Sequence, residues 1–246
     1  MRYLILSDIH SNKEAFTAVL SRVKRKRWDR VIFLGDLVGY AAHPNQVVDQ
    51  LRQLRPLVAI RGNHDKVCSG IEGGEFFNPP AREAALWTQR KLTRGNLRWL
   101  RELPRGPKLV DDTFGIAHGT PIDEDAYVFT EIDALNVFRL TGYEICFFGH
   151  THYPVIYVLT PDAMTTVLTS GTTFRLELKP GARYLVNPGS VGQPRDGRPL
   201  AAYAIYDSDT RVLTIHRAAY RIAETQRAIL EAGLPRPLAA RLAIGR

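Results

Sequence analysis

Residues 1–12 read MRYLILSDIHSN, in which the apolar run YLIL passes directly into Ser7, Asp8 and His10. Three similar runs occur further along the chain, and each ends at a glycine: VIFLG (31–35), LVAIRG (57–62) and ICFFG (145–149). Apolar runs of this length, bounded by glycine or polar residues, are typical of strands that are buried on both faces. The sequence therefore predicts buried central strands with polar residues at their ends.

Helical patterns lie between these runs. The predicted helices are residues 13–26, after the cap candidate Ser11 or Asn12, then 44–55 with a proline near its start, 80–91 and 133–140. From about residue 153 the chain changes to β-rich segments joined by Pro, Gly and Asp turns, which predicts a mainly antiparallel second half. A further helix is predicted over 223–232, and the tail at 235–246 is expected to be a short helix or flexible.

Alternating strands and helices indicate an α/β fold, and no Ser- or Gly-rich linker separates the two halves. With 246 residues, 45% of them hydrophobic, the chain is long enough for one large domain. We therefore expect a single domain over residues 1–246, built as a four-layer α/β/β/α sandwich of two mixed sheets flanked by helices.

The sequence composition also indicates where in the cell the protein is expected. The first apolar run is too short for a signal peptide or for a membrane span of about 20 residues. The two cysteines, Cys68 and Cys146, are too few for a disulfide framework and lack zinc-finger or redox spacing. A cytoplasmic protein without a membrane partner is expected. The oligomeric state is left open.

The formal net charge of +8 favours acidic partners such as nucleotide phosphates, nucleic acid or anionic lipid. The densest basic cluster is Arg22, Lys24, Arg25, Lys26 and Arg27, at the end of the first predicted helix. Cations there complement the helix dipole, so a solvated helix end is the favoured interpretation. Nucleic acid is a possible but disfavoured partner, because Trp28 is the only aromatic residue interleaved with these charges.

An unusual set of polar groups follows the predicted strands. The segments are SDIH, GDLVGY, RGNHD, AHGTP and FGHTH, and the side chains of interest are Asp8, His10, Asp36, Asn63, His64, His118, His150 and His152. Loops that leave the carboxyl ends of strands in an open α/β sheet converge on one crevice. Residues far apart in the sequence are therefore expected to meet there.

Apart from His64, this set offers two carboxylates, one amide oxygen and four imidazoles, which suit Mn, Fe, Zn, Co or Ni better than calcium. Seven ligands suit two ions about 3.5–4 Å apart with a shared carboxylate, and Asp36 is the natural bridge. Taken singly, Asp8 could cap a helix, His118 could be a core histidine and His150 could mark a turn. Together they would leave costly unpaired buried polar groups unless a cation compensated them.

The order D-x-H, GD, GNHD, HG and GHTH resembles the calcineurin-like metallophosphoesterase superfamily. The segments GDLVGY, RGNHD, FNPPAREAALWT, AHGTP and NPGSVGQPRDG are similar to its small bacterial and archaeal phosphodiesterase branch. The resemblance implies two divalent transition-metal ions. It assigns Asp8, His10, Asp36 and His152 to one ion, and Asp36, Asn63, His118 and His150 to the other. It disfavours a serine/threonine protein phosphatase, whose motifs continue GDxxDRG and end the third motif in Glu.

The implied activity is hydrolysis of a phosphate ester by attack of a metal-bridging hydroxide on phosphorus. His64 is predicted to protonate the leaving oxygen or to stabilise the transition state, with Asp65 orienting its ring. The predicted substrate contacts are Tyr40, Phe77 and Tyr127, which together with Phe76 could stack on a base, and Arg195, which could bind a phosphate. For Arg195, a turn in which it pairs with Asp196 is the favoured interpretation.

The favoured substrate is a phosphodiester or pyrophosphate bond of a small nucleotide. A phosphomonoesterase and a nuclease are the alternative enzymes, and a non-enzymatic metal-binding scaffold is the alternative without chemistry. An intact ligand set favours an enzyme over the scaffold, and the lack of a visible DNA-binding appendage disfavours the nuclease.

Overall fold

Twelve strands form two six-stranded sheets in the computed structural model, which describes residues 1–246. The first sheet contains, in spatial order, β3 (Leu57–Ala59), β2 (Arg30–Phe33), β1 (Arg2–Leu6), β11 (Ala201–Asp207), β12 (Val212–Ala218) and β9 (Thr173–Glu177). The second contains β4 (Lys108–Val110), β5 (Phe114–Ile116), β6 (Ile145–Phe147), β10 (Arg183–Asn187), β7 (Val155–Leu159) and β8 (Met164–Leu168).

Both sheets are mixed. In the first, β1, β2 and β3 are parallel, and the pairs that involve β11, β12 and β9 are antiparallel. In the second, β5, β6 and β10 are parallel, and the remaining pairs are antiparallel. The second half of the chain is therefore mainly antiparallel, as predicted, except where β10 pairs with β6. Its strands are divided between both sheets, which makes the whole chain one domain.

Eight α-helices cover the outer faces of the sheets. They are α1 (Lys13–Val23), α2 (Pro44–Gln53), α3 (Asn63–Ser69), α4 (Pro79–Lys91), α5 (Arg94–Arg101), α6 (Glu131–Leu140), α7 (Ile222–Glu231) and α8 (Arg236–Ala240), and a 3₁₀ turn (Arg241–Ala243) follows α8. The tail is thus helical, and Leu238 and Leu242 are buried against α7 and α4. None of the helices combines the length and the apolar character required to cross a bilayer.

Successive side chains of β1 point to opposite faces of the first sheet and so belong to different layers of the sandwich. Tyr3 and Ile5 face the second sheet and join a core with Phe114 and Phe147. Leu4 and Leu6 face outward and pack against the helices, among them α1 and α2. A further cluster places α6 on the outside of the second sheet. The predicted four-layer α/β/β/α sandwich is confirmed.

Several predicted boundaries were wrong. The first helix ends at Val23 rather than residue 26, because the run of like charges that follows disfavours further helical turns. Helices α3 and α5 were not predicted, and neither were β4 and β5. Strands β4 and β5 have three residues each, which is too short for a periodic pattern to be recognised.

Candidate metal centre

Five parallel strands direct their carboxyl ends to one edge of the sandwich. The loops that follow β1, β2, β3, β5 and β6 carry Asp8, His10, Asp36, Asn63, His64, His118, His150 and His152. Main-chain hydrogen bonds join these loops, such as those from the Asp8 amide to the Gly35 carbonyl (3.0 Å) and from the Gly149 amide to the His118 carbonyl (2.8 Å). The predicted ligands are thereby brought together from both sheets.

The buried side chains form two overlapping clusters. Asp8, His10, Asp36 and His152 make one cluster, and Asp36, His118 and His150 make the other; within each cluster one ligand atom per residue lies within 4.8 Å of the others. Asn63 joins the second cluster, because its Oδ1 lies 3.1 Å from His118 Nε2. Asp36 belongs to both clusters, as expected for a shared ligand.

Main-chain carbonyls fix the tautomer of each histidine. The Nδ1 atoms of His10, His118 and His152 lie 3.1, 2.9 and 2.7 Å from the carbonyl oxygens of Val38, Leu34 and Gln193. Their Nε2 atoms face the carboxylates and are the ring atoms that a metal could bind. His150 is reversed, since its Nε2 lies 3.0 Å from the Asp125 carbonyl and Nδ1 remains available. Such outer hydrogen bonds orient imidazoles for metal binding.

The electrostatics of the clusters suit a cation. Burial and the charge of nearby His118 together lower the pKa of His150 to about 3. Burial also lowers the pKa of His10 and His152, so these rings are neutral and could serve as ligands. At His118 burial acts in the same direction, but the Asp36 carboxylate outweighs it and raises the pKa to about 10.

Asp8 Oδ2 is buried without a hydrogen-bond partner. A buried carboxylate oxygen without a donor is costly unless a cation compensates it. The donor set of carboxylates, imidazoles and one amide therefore fits a divalent transition metal.

The backbone at the clusters is strained. Asp8, His10, Asp36, His150 and His152 have φ values of 54°, 50°, 59°, 67° and 59°. Non-glycine residues rarely adopt this left-handed conformation, and such strain concentrates at functional sites. Close packing adds a further restriction at Gly62, where a Cβ atom would lie 2.2 Å from Asp36 Oδ1.

The prediction that Asp65 orients His64 was wrong. Asp65 instead accepts hydrogen bonds from the main-chain amides of Asp36, Leu37, Val38 and Gly62, at 2.8–3.2 Å. Burial, followed by the charge of Asp36, raises the pKa of Asp65 to about 7, and the amide donors oppose that shift. The carboxylate therefore clamps the loop that carries Asp36 onto the start of α3.

His64 lies at the start of α3 beside the predicted ligands. Its ring centroid is 4.8 Å from that of His10, 4.4 Å from that of Tyr40 and 4.4 Å from that of Phe77. The ring is only 4% exposed, and its Nδ1 has no hydrogen-bond partner. No protein group competes for that nitrogen.

The other predicted contact residues surround the clusters in different ways. Tyr40 is buried between His10 and His64, whereas Tyr127 is exposed and stacks on His150 at 3.8 Å between centroids. Phe76 is fully exposed.

The favoured prediction of an Arg195–Asp196 pair was wrong, because Asp196 forms an ion pair with Arg217. The Arg195 guanidinium donates to Tyr40 Oη (3.3 Å) and Gln193 Oε1 (3.2 Å), while its Nε is buried without a partner.

A cavity of about 380 Å³ opens beside the second cluster. Its lining includes Asn63 and His150 from the cluster, the aromatic residues Phe76, Phe77 and Tyr127, and the carboxylates Glu72, Glu75 and Asp125. The cavity therefore joins potential metal ligands to aromatic surface.

Sequence analysis missed Lys66, which is 1% exposed and whose Nζ lies 2.6 Å from Asp125 and 2.9 Å from Glu72. This lysine ties α3 to the loop whose carbonyl orients His150. The position of Lys66 directly after GNHD could have indicated a role near the site, but its partner Asp125 is distant in the sequence.

This fold and its buried Asp/His clusters are those of a metal-dependent hydrolase. The sequence profile of the calcineurin-like phosphoesterase superfamily domain matches residues 1–211. The chain belongs to the calcineurin-like phosphoesterase superfamily.

Individual relatives are similar over nearly the whole chain. A metallophosphoesterase from Sphaerobacter thermophilus shares 40% sequence identity and a TM-score of 0.86, with 100% of this chain and 99% of that one covered. An uncharacterized protein from Methanocaldococcus jannaschii is 34% identical, covering 98% of this chain and 97% of its own. A hypothetical protein from Pyrococcus horikoshii shares the fold, with a TM-score of 0.79 at 19% identity and coverage of 100% and 98%.

Proposed function

We propose that this protein hydrolyses a phosphodiester or pyrophosphate bond of a small nucleotide, using two divalent transition-metal ions. The observation that carries this proposal is the 380 Å³ cavity that adjoins Asn63 and His150 and is lined by three aromatic residues. The cavity has room for the organic substituent of a phosphate ester, and its aromatic lining suits a nucleobase.

The two clusters support two ions that share Asp36, with Mn, Fe, Zn, Co and Ni as candidates. Bound ions would supply a nucleophile near neutral pH by lowering the pKa of water, and they would stabilise charge on the phosphoryl oxygens. The chain's contribution is to hold the ligands rigidly, because each imidazole is fixed by a carbonyl and the Asp36 loop is clamped by Asp65.

His64 is proposed to donate a proton to the leaving oxygen. It adjoins the ligand candidate Asn63, and its contacts with Tyr40 and Phe77 restrict the ring to one orientation. No carboxylate holds the ring, so the imidazole is available to the substrate rather than committed to an ion pair.

Arg195 is proposed to bind a phosphoryl oxygen. It is anchored by Tyr40 and Gln193, and Gln193 also orients His152 through its carbonyl. An anchored guanidinium next to a metal ligand places positive charge where the substrate is negative. The exposed rings of Phe76 and Tyr127, together with Phe77, are proposed to stack on the nucleobase in the cavity.

The first test compares bis(p-nitrophenyl) phosphate with p-nitrophenyl phosphate. Metal-stripped protein is assayed after addition of Mn, Ni, Co, Zn or Mg, and the expected result is a preference for the diester restored by a transition metal. A preference for the monoester would replace the proposal with a phosphomonoesterase. No turnover with any metal, despite stoichiometric binding, would favour the scaffold, and salt-sensitive cleavage of long DNA would favour the nuclease.

The role of His64 is tested by leaving-group dependence. A proton donor matters more for an alkoxide than for p-nitrophenolate, which leaves without protonation. His64→Ala is therefore expected to lower kcat for a cyclic nucleotide by about 10²–10⁴-fold, and much less for the nitrophenyl diester, at unchanged metal content. His43→Ala is the matched control. Equal losses with both substrates would show that His64 is not the proton donor.

The nucleotide preference is tested with Phe76→Ala. The ratio of kcat/KM for thymidine 5′-p-nitrophenyl phosphate to that for methyl p-nitrophenyl phosphate is expected to fall about tenfold, because a base-stacking contact is lost. Leu168→Ala, an exposed apolar residue outside the cavity, should leave the ratio unchanged. An unchanged ratio in Phe76→Ala would remove this residue from the binding site.

A further inference from the structure

A second cavity, of about 530 Å³, lies on the outer face of the first sheet. Its lining includes Arg2, at the amino end of β1, and Asp207, which pairs with Arg2 across the β1–β11 ladder. The metal centre follows the carboxyl end of β1. The residues that line this cavity are not among those of the two buried clusters.

The floor of this cavity is built by strand register. Arg175 of β9 lies opposite Thr214 of β12, and Thr214 lies opposite Ile205 of β11. All three line the cavity, together with His216, two positions along β12 on the same face. Three adjacent strands thus present one arginine and one histidine to the same space.

The wall is the basic segment that follows α1. Arg25, Lys26 and Arg27 line the cavity, and Arg25 and Arg27 are exposed to solvent, as the prediction of a solvated helix end requires. With Arg2 and Arg175 there are five cations and a single lining carboxylate, Asp207, which is already bound to Arg2. Arg25, Arg27 and Arg175 form no ion pairs, so the cavity has an excess of positive charge.

The surroundings of Lys26 do not compensate its positive charge, which adds to the electrostatic repulsion in the cavity. Its Nζ lies 2.8 Å from His216 Nε2 and 6.0 Å from the centre of the Tyr203 ring, so its bonded partner is a base rather than an anion. Burial and the neighbouring Arg22 lower the pKa of Lys26. Burial, Lys26 and Arg22 also lower the pKa of His216, to about 4. An anion in the cavity would relieve this repulsion.

We infer that this cavity binds a small polyphosphate anion, either free or as the phosphate chain of a nucleotide. Its volume suits a ligand of that size, and its cations converge on one concave space. Two carboxylates interrupt the basic surface next to the cavity. Asp29 accepts a hydrogen bond from the main-chain amide of Arg2, and Asp209 precedes the lining residue Thr210 in the sequence. Nucleic-acid duplexes are bound by longer uninterrupted basic surfaces, so a duplex does not fit this charge pattern.

The test is a titration of the holoprotein loaded with diamagnetic zinc, followed by the imidazole resonances of its histidines. The His216 signal is assigned with His216→Asn, and the histidines of the metal centre report separately on binding there. The probes are methylenediphosphonate and α,β-methylene-ADP, which have the same two-phosphorus chain with a non-hydrolysable bridge, and adenosine is the uncharged control.

Both phosphonates are expected to shift the His216 signal saturably, and adenosine is not. In Lys26→Gln/Arg175→Gln the affinity should fall at least about tenfold, the loss expected for removing charged hydrogen-bond donors. Lys24→Gln, in the same basic cluster but outside the cavity, should retain wild-type affinity. Hydrolysis of bis(p-nitrophenyl) phosphate and the thermal midpoint, measured for each variant, verify folding.

Tighter binding of the nucleotide analogue than of methylenediphosphonate would support the site and identify the nucleotide as its ligand. Equal affinities would support it with free polyphosphate as the ligand. The inference would be overturned if the His216 signal did not respond, if the double variant bound as tightly as the wild type, or if only a 20-base-pair DNA duplex shifted the signal.

Discussion

Asp36 is the side chain that the two buried clusters share. Its Oδ2 lies 3.6 Å from His10 Nε2 and 3.4 Å from His118 Nε2, so one carboxylate contacts ligand candidates from both sheets. Replacing it should therefore affect both ions, whereas a ligand of one cluster affects one ion directly.

Asp36→Ala is expected to reduce bound metal from two equivalents to less than one and to abolish hydrolysis. Metal content by inductively coupled plasma mass spectrometry and turnover of bis(p-nitrophenyl) phosphate are the measurements. Asp29→Ala, an exposed carboxylate near β2, is the control that should retain both. Two tightly bound equivalents in Asp36→Ala would contradict the shared-ligand assignment.

Asp65 supports the site without belonging to either cluster. Asp65→Asn replaces one acceptor oxygen with a donor NH₂ group that faces main-chain amides, so a buried cluster of hydrogen bonds is broken. We expect the free energy of unfolding in urea to fall by about 2–3 kcal/mol.

Asp133→Asn is the comparison for Asp65→Asn. Asp133 caps α6 through exposed hydrogen bonds, and its replacement should cost no more than about 1 kcal/mol. Equal effects of the two substitutions would show that Asp65 has no special structural role.

At the scale of elements, Lys66 connects α3 to the loop that holds His150. Lys66→Met leaves the Asp125 carboxylate without its cation, whereas Glu124 keeps its pair with Arg61. The expected losses are about 2 kcal/mol of unfolding free energy and about tenfold in metal affinity, because an outer hydrogen bond to a ligand is disturbed. Lys91→Met at the end of α4 should change stability by no more than about 0.5 kcal/mol. If Lys66→Met bound metal with wild-type affinity, the Lys66 contact with this loop would have no influence on metal binding.

His216 of β12 makes stability depend on pH. Its pKa is lowered to about 4 in the folded protein by burial, Lys26 and Arg22, whereas an unfolded imidazole titrates near 6.5. Between these values the unfolded chain binds more protons, so the contribution of His216 to stability is present above pH about 6.5 and is lost as the pH falls toward 4.

His216→Asn should consequently lose less stability than the wild type when urea unfolding is repeated from pH 7 down to pH 4. Thr173→Ala removes the hydroxyl 3.4 Å from His216 Nδ1 but retains the imidazole, so its pH dependence should match that of the wild type. A wild-type pH dependence in His216→Asn would assign the titration to other groups.

The sequence predicted elements well where they were long or apolar. The run YLIL marked β1 because both of its faces are buried, whereas β4 is three residues long with two of them exposed, and only its pairing with β5 makes it a strand. Helix α3 was not predicted because its first residues belong to the GNHD motif, which was interpreted as a loop that carries ligands.

For the site, the gathering of seven polar side chains followed from the common direction of the strands. The contacts of Asp65 and Lys66 did not, since they depend on how distant loops pack.

At the scale of the whole molecule, both sheets contribute to one strained and charged edge. Five ligand candidates occupy left-handed backbone positions, each at a cost of order 1–3 kcal/mol, and Asp8 carries an oxygen without a partner. The rest of the sandwich sustains these costs by holding the loops together. Metal binding should offset them and stabilise the entire fold, since the ligands come from β1, β2, β3, β5 and β6 and exist as a set only when both sheets are packed.

A metal at 100 times its dissociation constant stabilises the folded state by about 2.7 kcal/mol. For a chain of this size each kcal/mol corresponds to about 2–4 °C, so chelation should lower the thermal midpoint by roughly 5–10 °C for each such site. Calorimetry of the metal-loaded and chelated protein measures this difference. Asp36→Ala should melt at the same temperature with and without metal. If chelation left the wild-type midpoint unchanged, the strained edge would not be coupled to metal binding, and its backbone geometry would need another cause.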